Sequence, residues 1–323
     1  MTIHADGVLS SLERASGWLN SEPLTGAALA GRVVLVDFWT YSCINWIRTA
    51  PYVRAWAERY GPQGLVVVGV HTPEFEFEKN VDHVRRAVQE MDIEYPVALD
   101  PEYAVWRGFD NHYWPALYFV DARGQIRHHH FGEGEYEQSE QRIQHLLDEA
   151  GAGRSGDPAA VDAAGVEAAA DWGSLKSPET YVGYLRSQSF ASPDGRFPDE
   201  RRVYRAPAEL RLNQWALAGD WTIGRESAVL HAAGGHVAYR FFARDLHLVM
   251  GPAAEGGSVR FRVLIDGDPP GASHGIDVDA EGYGTVAEPR LHQLVRQPGP
   301  VAERLFEITF LDAGVEAYVF TFG

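Results

Sequence analysis

Cys43 is the only cysteine in the chain, and its surroundings bear on what a single sulfur could do. The apolar run LVDFW leads through Thr40, Tyr41 and Ser42 to the cysteine. Beyond it, INWIRTAPYVRAWAERY carries Ile44, Ile47, Val53, Ala57 and Tyr60 at spacings near three and four. A strand therefore runs into a helix, with the sulfur at the helix N-terminus. Unpaired backbone N–H groups and the positive end of the helix dipole favour thiolate over thiol there. The bland alternative is a small buried hydrophobe, and placement alone leaves both open. A lone cysteine also excludes an intramolecular disulfide and any structural zinc site built on cysteines.

Other side chains that could do chemistry are weaker candidates. His128, His129 and His130 are consecutive, so on a strand only His128 and His130 share a face, and two histidines are an incomplete zinc set. Glu133 and Glu135 follow, in a glycine turn that leaves their direction open. His71 ends the run LVVVGV, where α/β sheets place ligands, and reads first as a hydrogen-bonded histidine rather than a base. In the C-terminal half, Tyr181, Tyr184, Tyr204, Trp215 and Trp221 could stack on sugars or serve as core. The pairs Asp266/Asp268 and Asp277/Asp279 read equally as calcium ligands or as turn carboxylates. No metal or other cofactor is assigned from these residues.

The elements that must position Cys43 are legible as apolar runs. Residues 33–39, 65–70 and 116–121 read as buried strands, and Pro51 should kink the first helix. A second helix carries Val81, Val84, Val88 and Met91 on one stripe. A short strand near Pro96–Leu99, a short helix near 102–108, a hairpin through 122–124 into 125–131 and a helix over about 139–149 complete an α/β domain at 1–150. Residues 151–177, rich in Ala and Gly, read as a linker. From 178 to 323, period-2 runs such as HVAYRFF, VRFRVLID and EAYVFTFG, separated by turns, predict an all-β sandwich.

Composition narrows the partners. With 45% apolar residues and 28 basic against 45 acidic side chains, net −17, the chain is globular and repels phosphate backbones, so neither nucleic acid nor an anionic membrane is an expected partner. No apolar run reaches the roughly 18 to 20 residues of a membrane span, and the first residues lack the basic and apolar regions of an export signal. A cytoplasmic chain, whose unpaired thiol stays reduced, is the expectation.

Asp37 lies six residues before Cys43, Trp39 follows Phe38, Pro51 lies eight residues after the cysteine, and Trp114-Pro115 precedes the strand at 116. At these positions the sequence resembles the thioredoxin superfamily, which implies a thioredoxin-like fold and a cis Pro115 facing the sulfur. Pro115 by itself would be an ordinary trans proline. Longer motifs, among them GWLNSEPL, VDFWTYSCIN, GVHTPEFEFEK, YWPALYFVD, HFGEGEYE and SPETYVGY, are similar to the soluble C-terminal portion of DipZ-type cytochrome c biogenesis proteins and to TlpA-like thiol–disulfide oxidoreductases. That resemblance covers nearly the whole chain. It implies a tail like a carbohydrate-binding module, without implying a sugar, and an origin outside the cytoplasm that conflicts with the missing export signal.

The chain departs from the family at its chemistry. Where the family has Cys-x-x-Cys, this chain reads Cys43-Ile44-Asn45-Trp46. Residues i and i+3 adjoin on a helix, so Trp46 occupies the place of the resolving thiol and cannot do its work. The proton-transfer role that the resemblance implies for Asp37 loses its purpose, leaving a buried carboxyl with a raised pKa or a piece of scaffold.

Three functions follow. Cys43 could attack a disulfide or oxidised thiol, an external thiol or thiol protein acting as reductant and Pro115 shaping the substrate groove. Thr40-x-x-Cys43 resembles the peroxiredoxin pattern, which would make Cys43 a one-cysteine peroxidase with Arg48 or Arg107 holding peroxide. Alternatively, Trp39, Tyr41, Trp46 and Trp114 form an aromatic rim around Cys43 in a redox-inactive scaffold that docks a protein or peptide.

Overall fold

The computed structural model describes residues 7–153 and 157–323. By compactness the chain falls into one unit ending at Glu167 and another spanning Ala168–Gly323.

The first unit is built from β1 (Gly17–Leu19), β2 (Val33–Trp39), α1 (Ile44–Tyr60), β3 (Leu65–His71), α2 (Val81–Glu90), β4 (Val97–Leu99), α3 (Ala104–Gly108), β5 (Ala116–Val120), β6 (Ile126–Phe131) and α4 (Tyr136–Glu149). Its sheet runs β1-β4-β3-β2-β5-β6. β2 pairs in parallel with β3 and antiparallel with β5, and all seven of its residues are buried, as a central strand covered on both faces requires. Alternate residues of β2 face opposite ways. Val34, Val36 and Phe38 join a core with Val68, Val70, Ala116, Tyr118 and Trp106. Asp37 and Trp39 face α1, where Trp46 meets both.

Register sets the neighbours of Asp37. It lies opposite Gly69 of β3 and Leu117 of β5, while Trp39 lies opposite His71. A Cβ on Gly69 would sit 2.9 Å from Trp39 Nε1 and 3.0 Å from the Tyr95 ring. Only glycine gives both aromatics room beside Asp37.

Several expectations need adjusting. Pro51 lies inside α1, which runs unbroken over Ile44–Tyr60. The buried stripe of α2 is Val84, Ala87 and Val88, whereas Val81, at the first turn, is 40% exposed. α4 starts at Tyr136, three residues ahead of the sequence-based start, because Tyr136 stacks on Tyr52 of α1 at 3.6 Å and Glu140 accepts the Tyr60 hydroxyl at 2.6 Å. Past α4 the chain stays tied to this unit: Ala159 N–H donates to Glu140 at 2.6 Å, and Arg54 makes a two-pronged pair with Glu167 at 2.8 and 3.0 Å.

The second unit holds β7 (Thr180–Tyr181), β8 (Arg201–Tyr204), β9 (Trp215–Ile223), β10 (Ala228–Leu230), β11 (His236–Phe242), β12 (Asp245–Pro252), β13 (Val259–Ile265), β14 (Tyr283–Val286), β15 (Arg290–Arg296), β16 (Glu303–Phe310) and β17 (Val315–Phe322). These form one eleven-stranded sheet, antiparallel at every named pairing and continuous through β9 and β10. The sheet curls so that its two halves face each other as a sandwich: Tyr239 and Phe306, on β11 and β16, meet Phe320 of β17 at 5.2 and 6.0 Å. Among the described residues, no helix is long and apolar enough to cross a membrane.

Gly69→Ala is expected to lower stability by about 1–3 kcal/mol, the usual cost of overpacking. Denaturant unfolding of the two proteins measures the difference, and equal midpoints would contradict the tight fit beside Asp37.

Candidate functional site

β2 ends at Trp39, and Thr40, Tyr41, Ser42 and Cys43 carry the chain to α1. The turn closes with Cys43 N–H donating to the Thr40 carbonyl at 3.2 Å, and the Cys43 carbonyl accepts the first helical bond, from Ile47 N–H, at 2.9 Å. Cys43 is thus the N-cap residue, in extended geometry. Its neighbours Thr40 and Ser42 are buried at 0% and 2%, while Cys43 is partly exposed. A partly exposed cysteine at the start of a seventeen-residue helix has the N–H groups and dipole that favour an anion.

Trp46, one turn further on, is fully buried. Its indole N–H donates to Asp37 Oδ2 at 3.0 Å, and its rings stack on Trp39 at 4.2 Å with 23° between planes. Burial pushes the Asp37 carboxyl up to about 7, against the pull of the Trp46 bond and of the neighbouring Tyr95 hydroxyl. Tyr95 approaches the carboxyl without a well-formed hydrogen bond, leaving Asp37 Oδ1 unmatched.

The aromatic rim does not form. Trp39, Trp46 and Tyr41 are at most 4% exposed, because Trp39 and Trp46 stack between β2 and α1 and Tyr41 packs on His71 and Phe77. Trp114 is half-buried, packs on Trp106 at 4.3 Å and donates its indole N–H to the Thr72 carbonyl at 3.0 Å. The Trp114-Pro115 peptide is cis. The exposed rings beside it are Tyr113 and Phe131, in contact at 4.9 Å, and Gly132 N–H donates to the Pro115 carbonyl at 2.8 Å.

The arginines are placed differently from the peroxide-binding expectation. Arg48 is 2% exposed and pairs with Glu133 at 3.1 Å, tying α1 to the segment that follows Gly132. Arg107 is exposed at the end of α3. Thr40 turns inward, its hydroxyl 3.5 Å from His71 Nε2. His71 is itself buried, stacks on Tyr41 at 5.7 Å, and is held neutral because burial pulls its pKa down to about 3.

The remaining candidates disperse. His128 packs on Phe119 and His129 on Phe131, while His130 pairs with Glu135 at 3.4 Å; with Glu133 committed to Arg48, the run does not converge. Trp215, Trp221 and Tyr204 are core residues at 0–2% exposure, and the Tyr181 face is covered by the Arg186 guanidinium at 3.7 Å. Tyr184 is partly buried against the same core, so these five rings are held by the sandwich rather than set out as a sugar platform. Asp266 accepts from Leu305 N–H and Arg304, Asp277 from Gln293 N–H and Arg290, and Asp279 from Tyr283 N–H, as turn carboxylates do.

Sequence reasoning missed Glu78, which is fully buried behind Ser42. Its only local signal is the spacing Phe75-x-x-Glu78, in which a glutamate side chain reaches back to the N–H that opens a helical turn.

Two family models match the chain: one described as the thioredoxin like C-terminal domain, over residues 177–323, and the AhpC/TSA family, over residues 16–129. The chain is 35% identical over 267 residues to the protein DipZ of Mycobacterium bovis, a match covering 81% of this chain and 37% of that protein. It therefore spans little more than a third of that relative's length. It is 30% identical to the thiol-disulfide oxidoreductase YkuV of Bacillus subtilis, covering 44% of this chain and 95% of YkuV. A solved thioredoxin-like protein in its oxidised form is 32% identical, with 42% of this chain and 90% of that chain covered and a TM-score of 0.39.

The Asp37 carboxyl predicts a specific pH effect. The native state keeps its proton to about 7, whereas the unfolded chain releases it near the ordinary aspartate value of about 3.9. The contribution of Asp37 to stability is therefore full below that lower value and is lost as pH rises to about 7. Comparison of wild type with Asp37→Asn isolates it from other titrating groups. The stability of wild type relative to the variant should fall by an amount on the order of 4 kcal/mol between about pH 4 and about pH 7. Paired denaturant titrations across that range check it; a pH-independent difference is the contrary result.

Proposed function

We propose, starting from a chain that belongs to the thioredoxin-like thiol–disulfide oxidoreductase family, that Cys43 alone carries its redox chemistry. The observation behind this reading is the partly exposed Cys43 at the N-cap of α1, one turn before a Trp46 that is hydrogen-bonded to Asp37. The Cys43 thiolate attacks one sulfur of a substrate disulfide, forming a mixed disulfide and releasing the other half as a thiolate that takes up a proton. In the family pattern a second cysteine would then attack. Here the helix offers an indole, so an external thiol or thiol protein gives up its proton, attacks the mixed disulfide and releases the Cys43 thiolate, leaving with the substrate sulfur as a disulfide. The electrons come from the external thiol, and Cys43 is restored.

The geometry supports this reading over the peroxidase. Peroxide binding needs a threonine hydroxyl and a guanidinium turned toward the sulfur, whereas Thr40 faces His71 and Arg48 is bound to Glu133. A scaffold built on Trp46 contact area loses its basis with the burial of that ring. Tyr113 and Phe131, exposed beside Pro115, support a peptide-sized partner for the Cys43 chemistry, with Pro115 bordering the groove.

Incubation of the folded chain with oxidised glutathione is expected to add one glutathione to Cys43, visible by mass spectrometry and removed by added thiol. Cys43→Ser should give none. No adduct on the folded wild type would sink the reading, and peroxide consumption faster than that of free cysteine would restore the peroxidase.

A further inference from the structure

The thiol chemistry above makes no use of the buried Glu78 carboxyl, yet that group lies directly behind the residue preceding the sulfur. Ser42 Oγ donates to Glu78 Oε1 at 2.6 Å. The other oxygen, Oε2, accepts the backbone N–H groups of Glu74 at 2.6 Å and Phe75 at 2.9 Å. With Ser42 at 2% exposure and Glu78 at 0%, one carboxyl joins two segments out of water, the 40–43 turn and the 72–78 loop. Burial pushes the Glu78 carboxyl up to about 7, against the pull of the Ser42, Thr40 and Phe75 donors; above that pH it is a carboxylate, and bonds to a carboxylate are short and about twice as strong as neutral ones.

The 72–78 loop is in turn fastened to the opposite side of the site. Its Thr72 carbonyl accepts the Trp114 indole N–H at 3.0 Å, next to Pro115, and the Thr72 hydroxyl donates to Asp100 Oδ2 at 3.2 Å. The Tyr103 hydroxyl donates to the Pro73 carbonyl. A continuous chain of covalent and hydrogen bonds therefore runs from Cys43 through Ser42, Glu78 and Thr72 to Trp114 and Pro115. The titratable groups around Glu78 are Glu74 on its own loop and His71, reached through the Thr40 hydroxyl. Glu76 and Lys79, on the same helical turn, pair with each other at 2.8 Å and are partly or largely exposed.

We propose that Glu78 is a positioning residue for Cys43: through Ser42 it fixes the turn that presents the sulfur at the start of α1, and through the 72–78 loop it keeps that turn in register with Pro115. The role rests on the reading of Cys43 as a nucleophile. A turn released from Glu78 lets the sulfur drift from the N–H groups of the first helical turn, weakening the thiolate, and from the geometry of attack, slowing it further.

The test follows Cys43 alkylation by iodoacetamide against pH in the whole chain, for wild type, Ser42→Ala, Glu78→Gln and the double variant, with thermal melts alongside. Ser42→Ala changes no charge, so the midpoint of its profile should move upward and its high-pH plateau should fall about tenfold, as for a lost bond to a charged group. Glu78→Gln should lower the plateau similarly, and the double variant should lose no more than the larger single loss, because both substitutions cut one link. A Ser42→Ala profile within about twofold of wild type overturns the positioning role, as do losses that add in the double variant, the mark of two unrelated defects. If Ser42→Ala does not fold, Ser42→Thr keeps the hydroxyl: a wild-type profile supports the link, and a displaced profile in a variant of unchanged melting temperature overturns it. A wild-type thiol that labels only on unfolding overturns both nucleophile and positioning, whereas fast wild-type labelling with an unaffected Ser42→Ala overturns positioning alone.

Discussion

The hydrogen bond from the Trp46 indole to Asp37 is the contact on which the rest of this site depends. It occurs at the junction of β2 and α1, with Trp39 stacked on one side and Gly69 leaving room on the other. A carboxyl taken out of water is costly unless it keeps a partner or a proton, and Asp37 does some of each. Trp46 supplies one donor, and burial makes the neutral acid easier to hold. The same ring stands three residues after Cys43, the place that the resemblance gives to a second cysteine.

The consequences for Cys43 are electrostatic and mechanical. His71, neutral and packed between Trp39 and Tyr41, contributes no charge. Arg48 is neutralised by Glu133 in a nearly dry pair; a pair of that kind is poor evidence of net stability but punishes loss of either partner. The end of α1 is itself a feature that favours a thiolate at Cys43. An anion held by a helix end needs the turn before it held still. Ser42 and Glu78 lie where such restraint would act, and the cis Trp114-Pro115 segment is fastened to the same loop.

The second unit makes a different use of its aromatics. Trp215, Trp221, Tyr239 and the phenylalanines of β11, β13, β16 and β17 fill the space between two halves of one curled sheet. Burial of large rings is a principal source of stability in a sandwich of this kind, and rings spent there cannot serve as platforms at the surface. The alternation of apolar and polar residues announced the strands. It could not announce which side of each aromatic residue would meet solvent, because a curled sheet buries one face by meeting itself.

Much of the first unit was legible in the sequence because its strands are continuous apolar runs and its first helix has a regular apolar face. The position of Cys43 at the start of that helix, the absence of a second sulfur at Trp46, and the spacing of Asp37 and Pro115 around it are local or motif-borne facts, fixed by residue order. The direction of side chains was not. Whether Trp46 faced solvent or Asp37, and whether Arg48 faced the sulfur or Glu133, was decided only when β2, α1 and the segment after β6 came together. Glu78 shows the limit most clearly: it is thirty-five residues from Cys43 in the chain, and its bond to Ser42 exists because β3 carries the 72–78 loop back to the end of β2. Local periodicity determines which elements form and which residues begin or end them; the partner of a buried polar group depends on contacts between distant segments, which no single stretch of sequence encodes.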